Sequence, residues 1–269
     1  MVKEISMTGT SGFRDADRYE QLMGRWSRRL APSLIRFGGL GEGDRVLDMG
    51  CGTGSLIFTL PDVANVASAT GIDLTEAYVA AARIRNTDSR FTFDVGDARA
   101  LPYQDSSFDR AFSLLVLHFI PDARKAVEEM CRVVRPGGTI AAAVWDSYGG
   151  QPFARIIWDI AGVLDPTLER PLFRPLNGPG EMSKLWLDLG LREVEQVGLL
   201  IYMEFESFED YWAPFAGGEG PHGQYVVKQP EDKRDILKEH VRRAYLANRP
   251  DGPRSMASVA WACRGKVPD

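Results

Sequence analysis

The chain has 269 residues, of which 44% are hydrophobic and 26% charged, with 27 glycines and 16 prolines. This composition is typical of a globular protein with one or two domains, and it excludes collagen-like, low-complexity and disordered classes. Lysine and arginine total 32 against 37 aspartate and glutamate, and the net charge of −5 argues against nucleic acid or an anionic membrane as a partner.

Three widely separated cysteines, Cys51, Cys131 and Cys263, form neither a metal-binding pattern nor a disulfide framework. We therefore expect no metal site and a reducing, cytoplasmic location. Residues 1–10 lack an apolar core flanked by positive charge, and the longest apolar-rich stretch, residues 111–120, is too short to span a membrane. We expect a protein that is neither secreted nor inserted in a membrane.

Up to about residue 150, short β-rich runs alternate with helical patterns. A helix is predicted at residues 55–60, a second after Thr75 as N-cap, and a third from Asp122 until Pro136-Gly137-Gly138 stops it. Apolar strands that alternate with amphipathic helices indicate a parallel sheet covered on both faces. The predicted strands are residues 46–49, 69–72, 90–95, 108–116 and 139–145.

After residue 150 the pattern is less regular. Two late strands are separated by a polar, aromatic stretch at residues 207–253. We expect these strands to form an antiparallel pair that closes the sheet, with the stretch between them lying over the ligand-binding end. The elements predicted here are helices at residues 153–163 and 182–189 and strands at residues 194–205 and 258–264.

The most informative segment is residues 48–54, DMGCGTG, which lies between a predicted strand and a predicted helix. Open α/β sheets bind ligands in the crevice at this position. The spacing is GxGxG and not the GxGxxG of the pyrophosphate-binding fingerprint, and Asp48 lies beside the first glycine. A carboxylate here suits a ligand with ammonium or sulfonium character better than a diphosphate.

Acidic residues end the next two strands. Asp73 can accept hydrogen bonds from both hydroxyls of a ribose. Asp97 can accept from the exocyclic amine of adenine, while the N–H of Ala98 donates to the ring. Together with the glycine loop, these strand ends describe an adenosine that carries a positively charged tail and no phosphates.

Four segments in order, residues 48–54, 71–75, 96–119 and 132–145, resemble the successive motifs of class I S-adenosylmethionine (SAM)-dependent methyltransferases. The resemblance is nearest to methyltransferase type 11, the branch that includes the ubiquinone and menaquinone C-methyltransferases. It implies a Rossmann-like α/β fold: a seven-stranded sheet of order 3-2-1-4-5-7-6 with the last strand antiparallel, plus helical lid insertions. It also divides the chain into an N-terminal helical cap (1–40), a SAM-binding core (41–150), and lid insertions with the closing strands (151–269).

The resemblance also implies the cofactor SAM, its product S-adenosylhomocysteine, and their binding residues. The glycine loop would line the methionine part, Asp73 the ribose and Asp97 the adenine, with backbone near Ser113 at the amino-acid end. The implied cofactor-binding residues are Tyr19, Arg25, Trp26, Asp48, Gly50, Cys51, Gly52, Gly54, Asp73, Leu74, Asp97, Ala98, Ser113 and Leu114.

Residues 19–27 resemble the lead-in helix that folds over the cofactor in some relatives. Tyr19, Arg25 and Trp26 would then meet the SAM carboxylate or close the pocket. An amphipathic helix with ordinary core aromatics is the alternative interpretation. Cys51 is interpreted as a small packing residue in the loop.

Methyl transfer requires an aligned acceptor, exclusion of water and, for some acceptors, removal of a proton. His118, which follows the fourth strand, is a candidate base, and His222 is its rival. A hydrogen-bonded pocket wall and a solvated loop are the respective alternatives. Asp146 and Tyr148, just past the fifth strand, are candidates for orienting the acceptor.

Aromatic residues in the second half favour a small apolar or aromatic acceptor that must be desolvated. We expect a methyltransferase that transfers a methyl group from SAM to such a molecule, with no nucleic-acid partner. Two other functions stay open. One is a SAM-binding module without catalysis, and the other is an NAD(P)-dependent oxidoreductase on a similar sheet.

Overall fold

The computed structural model describes residues 16–168, 175–218 and 220–268. The first 15 residues of the predicted cap, which include residues 1–10 with their lack of an apolar core, lie outside the described residues.

The described residues form one seven-stranded sheet of order β3-β2-β1-β4-β5-β7-β6. The first five strands pair in parallel, and β7 runs antiparallel to both β5 and β6. The predicted fold class is therefore confirmed. The strands are β1 (Arg45–Met49), β2 (Ser68–Asp73), β3 (Phe91–Val95), β4 (Phe108–Leu114), β5 (Val134–Trp145), β6 (Arg192–Phe205) and β7 (Arg254–Lys266).

Helices cover both faces of the sheet, and several of them begin shortly after the carboxyl end of a strand. The chain enters through α1, a single π-helical turn at Glu20–Gly24 and α2 without a break. Short 3₁₀ segments occur at Ile57–Asp62 and Leu117–Phe119. The α-helices are α1 (Ala16–Tyr19), α2 (Arg25–Phe37), α3 (Glu76–Arg85), α4 (Ala123–Val133), α5 (Pro152–Leu164), α6 (Glu181–Asp188), α7 (Phe208–Ala216), α8 (Gly220–Lys228) and α9 (Glu231–Leu246).

The core consists of two apolar clusters, one on each face of the sheet. Successive strand residues point to opposite faces, so Val46 joins the cluster that contains Leu34 of α2, and Leu47 joins the cluster that contains Met130 of α4. All four side chains are fully buried. This double burial explains why β1 has apolar residues on both of its faces.

The prediction of a helix at residues 55–60 is wrong, because these residues do not form a regular α-helix. A turn leads into the 3₁₀ helix Ile57–Asp62, which contains Pro61. The hydroxyl of Thr59 donates to the carbonyl of Ser55 at 2.8 Å, while its N–H donates to Leu56. The side chain thus occupies the carbonyl that an α-helical N–H of Thr59 would use.

Contrary to the prediction, the Pro136-Gly137-Gly138 segment does not end the preceding helix. The helix α4 already ends at Val133. It lies inside β5, where the register shifts between the pairs Phe108 with Val134 and Arg110 with Thr139. A proline and two glycines fit such a bulge better than a regular ladder.

The stretch between β6 and β7 contains three helices, α7, α8 and α9. Tyr211 and Phe215 of α7 are buried, and the Tyr211 hydroxyl donates to the carbonyl of Phe153 in α5 at 2.6 Å. The predicted aromatic stretch therefore packs on α5, which follows the carboxyl end of β5.

Within the described ranges, no helix is long and apolar enough to cross a membrane. The same ranges contain no group of three or more His, Cys, Asp or Glu side chains that could hold a metal ion.

Candidate active site

The glycine loop after β1 is pinned to the end of β2. The N–H groups of Gly50 and Cys51 both donate to the carbonyl of Ile72, at 2.7 and 3.0 Å. Gly50 has φ of +79°, and a Cβ atom there would lie 2.5 Å from the Cγ atoms of Val116. Only glycine combines this conformation with this contact.

Asp73 joins the glycine loop to the start of α3. Its Oδ2 accepts the N–H of Gly52 at 2.9 Å, and its Oδ1 accepts the N–H of Thr75 at 2.8 Å. Burial raises the pKa of Asp73, and these two hydrogen bonds oppose that rise. Each carboxylate oxygen has a second lone pair, so both can still accept from a ligand hydroxyl.

Asp48 is a buried carboxyl group without full hydrogen bonding. The residue is 1% exposed, and its Oδ1 has no partner among the described residues. Burial, together with the charge of Asp73, raises its pKa to about 8. The hydroxyl of Ser113, on the adjacent strand β4, is likewise buried without a partner.

The unpartnered oxygens of Asp48 and Ser113 indicate whether a sulfonium or ammonium ligand fits this site. A buried carboxyl group is costly unless a hydrogen-bond donor or a cation compensates it. The structure thus places an unpartnered acceptor oxygen beside the glycine loop, and a cationic group bound there would lower the pKa of Asp48 and stabilise its carboxylate. The residues present fit SAM.

Tyr19 and Glu20 cover the glycine loop. The Tyr19 ring packs on Tyr78 at 5.0 Å between centroids, and its hydroxyl would lie 3.4 Å from a Cβ atom at Gly52. Burial raises the pKa of Tyr19. Glu20 accepts hydrogen bonds from the hydroxyl of Thr53 and, at 3.0 Å, from Arg85 of α3. The N-terminal segment therefore closes directly over the loop.

Arg25 and Trp26 make different contacts. Arg25 forms an ion pair with Asp210 of α7 at 2.9 Å, and its guanidinium lies 4.3 Å from the ring centroid of Trp26. Trp26 is 3% exposed and packs edge-on against Phe205 of β6. These contacts join α2 to β6 and α7, so they give no support to the prediction that either residue meets the cofactor.

Asp97 lies near Asp73, because the N–H of Gly96 donates to the carbonyl of Asp73 at 3.0 Å. Its carboxylate accepts from the N–H and Nε of Arg99 at 2.9 and 3.0 Å, and these bonds lower its pKa. Asp97 is therefore ionised at neutral pH. Leu74, in the turn after β2, is 57% exposed.

A cavity of about 340 Å³ lies at the carboxyl ends of β4 and β5. Its walls come from the N-terminal segment, the turns after both strands, α5, α7 and α8. Tyr19 lines this cavity and also covers Gly52, so the cavity adjoins the glycine loop. The wall includes Tyr19, Leu22, Met23, Leu115, His118, Phe119, Trp145, Ser147, Tyr148, Phe153, Trp158, Asn177, Phe215 and His222.

Both candidate histidines line this cavity. His118 is 6% exposed and belongs to the 3₁₀ segment after β4. His222, on α8, packs against Trp158 at 5.1 Å and Phe215 at 6.0 Å between ring centroids. Two residues 104 positions apart are thus brought to one site.

The structure adds wall residues that the sequence reasoning missed, among them Trp145, Ser147 and Asn177. Asn177 is 1% exposed, and its Nδ2 donates to the Ser147 hydroxyl. Of the two predicted orienting residues, Tyr148 lines the cavity, whereas Asp146 accepts the N–H of Tyr148 at 2.9 Å. Asn177 lies in a proline- and glycine-rich turn, where only the tertiary fold reveals its partner.

The chain is similar to known proteins in both sequence and fold. Residues 47–142 match a family model described as a methyltransferase domain. The chain is 39% identical over 126 residues to the 27-O-demethylrifamycin SV methyltransferase of Amycolatopsis mediterranei, which aligns 45% of this chain with 44% of that protein. The chain thus spans less than half the length of this curated relative.

Two solved structures share the fold. A Bacillus halodurans protein described provisionally as a methyltransferase has a TM-score of 0.58 and 17% identity, covering 89% of this chain and 99% of its own. Phosphoethanolamine N-methyltransferase 2 of Haemonchus contortus, in complex with S-adenosyl-L-methionine, has a TM-score of 0.57 and 17% identity, covering 94% of this chain and 57% of its own. At these identities the likeness shows the fold alone. Residues 47–142 thus match a methyltransferase domain, and the chain as a whole shares the fold of these two structures.

Proposed function

We propose that the protein transfers a methyl group from SAM to a small apolar or aromatic molecule. The observation that carries this proposal is the buried, unpartnered Oδ1 of Asp48 beside the glycine loop, next to a cavity whose wall includes several aromatic side chains. The loop offers a place for a cationic adenosyl group, and the cavity offers a place for an apolar acceptor.

SAM, when bound, supplies an activated methyl group on a sulfonium centre. Asp48 and the backbone of residues 50–54 would hold its methionine part, and backbone near Ser113 and Leu114 its amino-acid end. Asp73 would accept from the ribose hydroxyls, and Asp97 with Ala98 would bind the adenine. The support is that these residues share one edge of the sheet.

The chain itself must align the acceptor and exclude water. Phe119, Phe153 and Trp158 supply apolar walls for an aromatic ring, and α8 covers the cavity from the side of α5. Tyr19 separates the glycine loop from the cavity, so its hydroxyl lies where donor and acceptor sites adjoin.

His118 is the proposed proton acceptor, and His222 is the alternative. His118 is held close to the loop, because Val116, two residues earlier, packs against Gly50. A neutral imidazole at this place can remove a proton from a hydroxyl or an acidic carbon of the acceptor near pH 7.

We also propose a cytoplasmic location, since Cys51, Cys131 and Cys263 are free thiols that suit a reducing compartment. The net charge of −5 supports a protein that acts without a nucleic-acid partner.

Thermal unfolding of the purified protein with SAM, S-adenosylhomocysteine, NAD⁺ and NADP⁺ tests the proposal. A ligand that binds only the folded state raises the midpoint. We expect both adenosyl ligands to raise it and neither nicotinamide nucleotide to do so. A rise of the unfolding midpoint with the nicotinamide nucleotides alone would indicate an NAD(P)-dependent oxidoreductase instead. Binding of SAM without turnover on any small acceptor would indicate a SAM-binding module without catalysis.

A further inference from the structure

The carboxyl end of β5 contributes hydrogen-bonding side chains to the cavity wall. Trp145 ends the strand, and Ser147 follows two residues later. Both line the cavity, together with Asn177 from the turn before α6. None of the three is explained by binding of the adenosyl group.

Asn177 occupies one lone pair of the Ser147 hydroxyl oxygen. Asn177 is 1% exposed, and its Nδ2 donates to the oxygen of Ser147. A hydroxyl has one proton, and here the oxygen accepts from Asn177, so that proton points elsewhere. Ser147 is half-buried in the wall, and its O–H is therefore free to donate into the cavity.

Trp145 supplies a second donor at the same strand end. It is 5% exposed, and its indole N–H has no hydrogen-bond partner among the described residues. A buried indole N–H ordinarily finds an acceptor, and this group can only donate.

The charged side chains near these donors have partners of their own. Arg155 and Asp159, which also line the cavity, pair with each other at 3.1 Å. Asp146 accepts from the N–H of Tyr148. Two uncharged donors, with the guanidinium of Arg155 already paired, favour a neutral acceptor oxygen over a carboxylate, and they offer nothing to an ammonium group.

We propose that Ser147 and Trp145 bind a carbonyl oxygen of the methyl acceptor, with Asn177 as the positioning residue for Ser147. These two donors limit the chemical class of the acceptor to an aromatic or apolar ketone, quinone or ester. This inference rests on the proposed function, because it takes the cavity to be the acceptor site.

Equilibrium dialysis of the protein saturated with S-adenosylhomocysteine tests it with two matched probes, para-hydroxyacetophenone and para-ethylphenol. The probes differ only in the carbonyl, which a methylene replaces. We expect the ketone to bind about tenfold more tightly, the gain of a good hydrogen bond made in a buried site. Ser147→Ala should remove most of this preference, and Ser147→Thr should keep it.

Asn177→Leu should weaken the preference for the ketone while Ser147 remains in place. Ser89→Ala, an exposed serine before β3, is the matched control and should retain the full preference. Each variant is first titrated with S-adenosylhomocysteine, so that loss of folding is separated from loss of the carbonyl contact.

Equal binding of the two probes by the unaltered protein, or an unchanged preference in Ser147→Ala, would overturn the inference. If the unaltered protein binds S-adenosylhomocysteine in that experiment, the proposed function survives. Failure to bind S-adenosylhomocysteine would instead remove the proposed function and this inference together.

Discussion

The carboxylate of Asp73 accepts the N–H of Gly52 at 2.9 Å, so the residue proposed to bind the ribose also holds the glycine loop in shape. Its other oxygen accepts the N–H of Thr75. Loss of this side chain therefore affects both the ligand and the loop that surrounds it.

Asp73→Ala should weaken binding of S-adenosylhomocysteine by roughly 1–3 kcal/mol, about 5- to 150-fold, because ribose hydroxyls and two N–H groups lose their acceptor. Isothermal titration calorimetry measures the change. Asp62→Ala, an exposed aspartate, is the control and should bind as the unaltered protein does. Unchanged affinity in Asp73→Ala would remove Asp73 from the cofactor site.

Asp48 should make stability depend on pH. Burial raises its pKa from 3.8 to about 8 in the folded protein, so the folded state binds this proton more tightly than the unfolded chain. Stability should therefore fall as the pH rises from about 4, until the loss is complete above about 8.

Asp48→Asn removes the ionisation and should raise the unfolding midpoint more at pH 9 than at pH 5. Differential scanning calorimetry at both values measures this difference. Asp62→Asn, measured in parallel, reports the effect of losing an exposed carboxylate. A gain of the same size at both pH values would show that Asp48 does not carry the proton.

His118→Asn should lower kcat by about 10²–10⁴ if the imidazole removes a proton in the transition state. Binding of S-adenosylhomocysteine should not change, and the acidic limb of the pH–rate profile should disappear. His222→Asn is the comparison, since this residue lines the same cavity from α8. The reverse ranking of the two variants would assign the base to His222.

Glu20→Gln should loosen the N-terminal segment. Glu20 binds Thr53, Arg28 and Arg85, and these hydrogen bonds hold its pKa below the usual range against the opposing effect of burial. Both arginines are partly exposed, so we expect a loss of only about 1 kcal/mol in stability.

Cleavage by trypsin within residues 16–37 should become faster in Glu20→Gln, because the segment opens more often. Glu239→Gln breaks an exposed pair with Arg243 on α9 and is the matched control. Equal cleavage rates in both variants would show that Glu20 does not fasten the segment.

The sequence predicted those parts of the fold that local pattern determines. Strands β1 to β4 lie within two residues of their predicted ends, because buried parallel strands are short apolar runs bounded by turn residues. Thr75 and Asp122 precede α3 and α4 as predicted, and the Asp122 carboxylate accepts the N–H of Lys125.

The parts that sequence could not predict depend on distant contacts. The 3₁₀ geometry at residues 57–62 and the bulge in β5 arise from specific hydrogen bonds and from pairing with β4. Asn177 acquires its role only because the chain returns to Ser147, 30 residues earlier.

The π-helical turn at Glu20–Gly24 sets the angular position of Tyr19. Such a turn amounts to one residue inserted into an α-helix, and each helical residue advances the chain by roughly 100° around the axis. Deleting one residue here would rotate Tyr19 away from Gly52 without altering α2. An alignment of this segment with relatives that have a regular helix therefore needs a one-residue gap, or it will superpose Tyr19 on a residue that faces elsewhere.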